Sequence, residues 1–176
     1  MRHWHGLAVV VAVAACADQT PTGLVQARTA PSLSVGSDGA PPIVFNTQMR
    51  SELEVPLSTS ESKGHAQIKV LTDGTIQSVV IINNKGDENV FFGHIHHLNP
   101  GGQTGPVIWW LTNPVGTALN LTDRHLEFRQ NGIFVSNAHF TSHDAALAEL
   151  LSDPGSFYVN FHSTAFPPGF ARGFLE

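Results

Sequence analysis

His94 and His96, in the run Phe92-Gly93-His94-Ile95-His96-His97, are the residues of this chain best placed to do chemistry. Along a β-strand, side chains alternate between faces, so these two imidazoles leave one face from points roughly 6.6 Å apart while Ile95 turns away. That spacing suits one metal ion shared by two rings. A neutral imidazole binds zinc or copper through one nitrogen at roughly 2.0–2.1 Å, and a site needs three or four converging ligands. The run Phe157-Tyr158-Val159-Asn160-Phe161-His162 offers a third, with Val159 and Phe161 on one face and Tyr158, Asn160 and His162 on the other. If the two strands are neighbours, His94, His96 and His162 form a ligand set for copper or zinc. The same histidines admit a second reading, in which they hydrogen-bond across the sheet, to backbone carbonyls or to Asn160, and pin the register of two strands.

Other groups promise less. His97 shares the face of Ile95, His139 and His143 flank Phe140-Thr141-Ser142 ahead of a helix and are expected to cap it or meet solvent, and His65 and His125 sit in no motif. Ser163, His162 and Asp153 include the residue types of a hydrolase triad, but Ser163 adjoins its supposed base on an alternating strand and lacks a nucleophile elbow. Gly101-Gly102 with Gly105 lacks the strand-to-helix setting of a phosphate cradle. Arg172 is expected to pair with Glu54 or Glu176, with anion recognition as the alternative. Of Trp109 and Trp110, one ring is expected to pack inward and the other to lie exposed for a partner.

The elements that must position these residues are mostly strands. In Gly64–Val70, Ala66, Ile68 and Val70 fall on one face and His65, Gln67 and Lys69 on the other. Asp73-Gly74 signals a hairpin turn, and the β-branched run Thr75–Ile82 pairs back. Val90–His96 and Pro106–Leu111 follow, separated by a glycine-containing loop. One helix is expected, capped by Ser142, with Asp144 at its positive end, built from Ala145–Leu151 and stopped by Asp153-Pro154-Gly155. Short strands, Gly and Pro turns and one short helix predict an all-β fold, an antiparallel sandwich or barrel.

The N-terminus speaks to compartment. Arg2 precedes the apolar run Leu7–Ala15, too short to span a bilayer as a mature helix, and the run ends at Cys16, the single cysteine of the chain. Val13-Ala14-Ala15-Cys16 resembles the lipobox of bacterial lipoproteins, which makes residues 1–15 a signal peptide and Cys16 a lipidation site; ordinary cleavage near Ala15 is the alternative. Residues 16–42, rich in Pro, Ser, Thr, Gly and Ala, read as a flexible tether. Residues 43–176 are one domain by length. The expected product is an exported envelope protein held to the membrane by its lipid, periplasmic or surface-exposed. Nine Lys and Arg against fourteen Asp and Glu, a formal charge of -5, argue against a nucleic-acid partner. An envelope protein or surface polymer is the expected partner class.

The order of these landmarks resembles the CHRD domain family, named from chordin. Leu53-Glu54-Val55-Pro56 is similar to its opening Glu-Val-Pro, and the hairpin from Gly64 to its first strand pair. His94-Ile95-His96 with Gly105-Pro106-Val107 resembles its His-Ile-His, glycine loop and Gly-Pro-Val. Tyr158–Ser163, Pro168-Gly169 and Arg172-Gly173 resemble its closing motifs. Departures lie in His97-Leu98-Asn99-Pro100, where a glycine is usual, in Ser163 for threonine, and in Phe174 for glutamine. The resemblance implies a β-rich extracytoplasmic module, and fold alone does not fix its activity. Three functions follow: a non-catalytic binding or interaction module, a copper or zinc binding protein using His94, His96 and His162, or a redox enzyme like copper-zinc superoxide dismutase, which also displays a His-x-His from a sheet. The bridging histidine, zinc aspartate and disulfide of that enzyme have no clear counterparts here.

Overall fold

The computed structural model describes residues 40–176 except 87, 136 and 138. The expected signal peptide, Cys16 and nearly all of the expected tether lie outside the described residues. Eight strands and one helix follow in order: β1 Ile43–Met49, β2 Lys63–Val70, β3 Ile76–Asn83, β4 Val90–His97, β5 Val107–Trp110, β6 His125–Gly132, α1 His143–Ser152, β7 Phe157–Ser163 and β8 Ala171–Phe174. They form two four-stranded antiparallel sheets, ordered β1-β2-β3-β6 and β5-β4-β7-β8. The sheets are joined along one seam. Asn46 and Glu176 exchange both backbone hydrogen bonds at 3.1 Å, and Arg50 and Arg172 bridge beside them. The fold is therefore a sandwich stitched at one edge, within the class that the alternation predicts.

Period-two patterning places the core. Ala66, Ile68 and Val70 of β2 point inward, as do Ile76, Val80 and Ile82 of β3, Ile95 of β4, and Val159 and Phe161 of β7. Burying each large aliphatic side chain contributes roughly 1.5–3 kcal/mol. The β2–β3 connection runs Leu71–Thr75, longer than a two-residue turn. Gly74 adopts a left-handed φ of 83°, and the Asp73 carboxylate accepts from Thr75 N–H at 2.8 Å. Ser142 caps α1 by accepting from Ala145 N–H at 3.2 Å, worth about 1 kcal/mol, and the helix ends before Asp153-Pro154 as its breaker demands. Ala146, Leu147 and Leu150 pack α1 onto the core.

Strand adjacency decides what faces outward. β4 and β7 are direct neighbours, with Phe92 opposite His162, His94 opposite Asn160 and His96 opposite Tyr158. Ile95, Val159 and Phe161 fill the space between the sheets, so His94, His96, Tyr158, Asn160 and His162 share the outer face of the second sheet. That face is not open. The β4–β5 loop, the segment around Glu54 and the turn at Pro167-Pro168 come across it, leaving His94 5% and His96 9% exposed.

Candidate metal centre

The three histidines singled out by spacing converge. One ring nitrogen from each of His94, His96 and His162 lies within 4.8 Å of the others, and among the described residues no cysteine or carboxylate joins the cluster. His94 Nδ1 stands 3.2 Å from His162 Nε2.

Backbone carbonyls set the tautomers. His96 Nδ1 lies 2.9 Å from Gly105 O and His162 Nδ1 lies 2.8 Å from Pro167 O. A carbonyl can only accept, so in both neutral rings the proton sits on Nδ1 and the lone pair on Nε2. With the His162 Nε2 lone pair facing it, His94 Nδ1 must donate across the 3.2 Å contact, which leaves His94 Nε2 bare. His94 Nε2 and His96 Nε2 are both buried without a hydrogen-bond partner. An unsatisfied buried polar atom costs about 1–3 kcal/mol, so the fold carries two such penalties side by side. Holding one imidazole nitrogen on a carbonyl while the other stays free is how outer partners orient a metal-ligating histidine.

The electrostatics keep the rings neutral. Burial, then the charges of His162 and His96, lowers the His94 pKa to about 3. Burial likewise brings His96 to about 4, with Arg172 and His162 pushing the same way and the Gly105 hydrogen bond opposing. Burial also lowers His162, against its hydrogen bond to Pro167. At neutral pH all three rings are uncharged; His94 Nε2 and His96 Nε2 carry free lone pairs, and that of His162 Nε2 accepts from His94 Nδ1–H.

A stack supports His96. The Tyr158 ring lies flat on it, centroids 4.7 Å apart and planes 2° apart, and the Arg172 guanidinium covers the far face of the stack at 3.6 Å from the Tyr158 centroid. Arg172 donates to Gln103 O at 2.5 Å, and Tyr158 Oη accepts from Gly105 N–H at 3.2 Å. Both tie the β4–β5 loop that orients His96. Gly105 is required there, since a Cβ would collide with the His97 carbonyl. Trp110 closes the other side, edge-on to His94 at 4.3 Å, so it packs against the site as a half-buried ring where sequence suggested a surface for partners. Trp109 packs inward as expected.

Glu54 and Arg172 complete the surroundings. Glu54 is buried, and desolvation raises its carboxyl to about 7 despite the opposing pull of Arg172 and a hydrogen bond with Asn160. Arg172 feels Glu54 as its counter-charge, in line with one of the two expected pairings. Both border a cleft of about 500 Å³ with Leu53, Val55, Leu57, Leu98 and Phe174.

Other sequence readings sort clearly. His97 lies on the Ile95 side, with Nδ1 3.0 Å from His139 Nδ1, and so stands apart from the triad. His139 therefore neither caps the helix nor simply meets solvent. His143 opens α1 and is fully engaged: Nδ1 accepts from Phe134 N–H at 3.1 Å and Nε2 donates to Gly74 O at 2.9 Å. That also departs from a capping or solvent role, because the β2–β3 turn folds onto the helix start. Ser163 Oγ donates to buried Glu88 at 2.8 Å, which removes it from any partnership with His162. Sequence reasoning missed the carbonyls of Gly105 and Pro167 and the Arg172–Tyr158–His96 stack. The motifs Gly105-Pro106, Pro168-Gly169 and Arg172-Gly173 marked those places without giving their roles.

No curated protein and no solved structure matches the chain. The family model of the CHRD domain matches residues 45–175, essentially the whole β-sandwich with its histidine cluster, and the chain therefore belongs to the CHRD domain family.

Proposed function

We propose that this domain is a non-catalytic extracytoplasmic binding module that holds one transition-metal ion, copper or zinc, on His94, His96 and His162. One observation carries the reading: three converging neutral imidazoles, two with tautomers set by backbone carbonyls, with buried His94 Nε2 and His96 Nε2 left unpartnered. Imidazole is a preferred donor for copper and zinc, and copper(II) leads zinc in intrinsic affinity for such sites. Storage, delivery or sequestration of the ion is the role such a module would serve.

The test is metal content. The domain from Ala40 onward, without a histidine tag, is exposed to copper and zinc, freed of loosely bound ions and assayed by elemental analysis. About one equivalent per chain, lost in His94→Ala, supports the reading. Sub-stoichiometric metal with unchanged stability after chelation defeats it. The 3.2 Å His94–His162 contact favours a second reading in that event, a metal-free interaction module whose histidines pin β4 to β7.

The lipobox-like Val13-Ala14-Ala15-Cys16 supports attachment to the cell envelope through a lipidated Cys16, with residues 16–42 as tether. Cys16→Ser should abolish incorporation of labelled palmitate. Persistent labelling of that variant would rule out lipidation at Cys16.

A further inference from the structure

Resting on the metal reading above, we infer that the His94–His96–His162 centre selects monovalent copper over divalent zinc. The donor set is three neutral imidazoles, and among the described residues no carboxylate or thiolate joins them. A bound ion would therefore keep its full charge inside the protein. The Born cost of that burial scales with the square of the charge, so a divalent ion costs about four times what a monovalent one does.

The surroundings do not make up the difference. The walls are aromatic: Trp110 edge-on to His94 at 4.3 Å, Phe92 at 5.6 Å, and Tyr158 flat on His96 at 4.7 Å. Such rings attract a cation without cancelling a unit of charge. The two ionisable groups beside the site, basic Arg172 and acidic Glu54, are both buried, so even with Glu54 ionised no surplus negative charge remains for a dication. Coordination number acts in the same direction. Zinc held by three histidines takes a water as its fourth ligand, which this buried, aromatic-walled site would have to admit, whereas monovalent copper is satisfied by three nitrogens.

The test is a paired titration of the full chain in mild detergent under anaerobic conditions, with copper(I) delivered from its bicinchoninate complex and zinc(II) from a chromophoric zinc chelator. The expected result is one copper(I) per chain, bound at least about 100-fold more tightly than zinc, which corresponds to about 2.8 kcal/mol. X-ray absorption should then show monovalent copper with three nitrogen neighbours. Zinc bound as tightly as copper(I), or more tightly, overturns the selectivity while leaving the metal site standing. Binding of neither ion overturns the metal reading itself. Asn160→Asp, which places a carboxylate directly opposite His94 on the same face of the sheet, should narrow the preference about tenfold by favouring the dication. An unchanged ratio in a folded Asn160→Asp protein that binds one ion would show that charge does not set the choice.

Discussion

Two histidine regions lie on either side of the second sheet, and they use their rings in opposite ways. Beside α1, His143 spends both nitrogens, accepting from Phe134 N–H and donating to Gly74 O, and it staples the β2–β3 turn to the helix start. On the outer face, His96 spends one nitrogen on Gly105 O and keeps the other buried and bare, and His94 likewise keeps Nε2 bare. The fate of the second nitrogen is therefore what separates His143 from His94 and His96, while the second nitrogen of His162 faces only another ring of the cluster. The number of histidines in a region says little. His97 stands between the two cases, with Nδ1 on His139 and Nε2 4.0 Å from the Glu149 carboxylate.

The contrast breaks most directly at the ligands. His94→Ala and His162→Ala should each reduce bound copper from about one equivalent to none while the domain stays folded, as checked by elemental analysis and circular dichroism. Full retention of metal in both would erase the distinction between the regions. His143→Ala should do the reverse, leaving metal stoichiometry intact while lowering stability by about 2 kcal/mol, because two buried backbone groups lose their partner. Urea denaturation reads that loss. A variant as stable as the parent would remove the staple.

Smaller effects sharpen the electrostatic side. Glu54 carries a folded pKa raised to about 7 by desolvation, so its protonated form suits the fold and its ionisation opposes it. Its contribution to stability is complete below the unfolded value near 4.5 and falls as pH rises through 7. Glu54→Gln should therefore stabilise the domain above that range by about 1 kcal/mol and have less effect at acid pH. Equal effects at both pH values would contradict the shift. His94 and His96 act with the opposite sign. Their folded pKa values near 3 and 4 lie below the ordinary imidazole value of 6.5, so stability is lost as pH falls from that value toward the folded ones. Protons compete with metal only at that acid end. Copper affinity should change less than about threefold between pH 7 and pH 5.5, where an unstructured histidine peptide would lose much more.

The sequence carried the faces of the strands well. Alternation in β2 and β7 placed Ala66, Ile68, Val70, Val159 and Phe161 in the core, and Ser142 with Asp153-Pro154 set both ends of α1. It was less informative for isolated side chains outside the strands. His143 lacked any periodic context, and its two partners lie in β2–β3 and after β6, remote in sequence.

The division follows from the range of the forces. Which side chains share a face is settled by the two-residue period of a single strand, so His94 with His96, and His162 with Tyr158 and Asn160, could be grouped from sequence alone. Whether those groups meet depends on β4 pairing with β7, 60 or more residues away, in the register that sets Phe92 against His162 and leaves His94 diagonal to it. That register comes from core packing and loop closure, which no local pattern encodes. The carbonyls of Gly105 and Pro167 reach their rings only once those loops cross the sheet. Sequence thus determined the donors, and the tertiary structure decided their tautomers, their burial and their convergence.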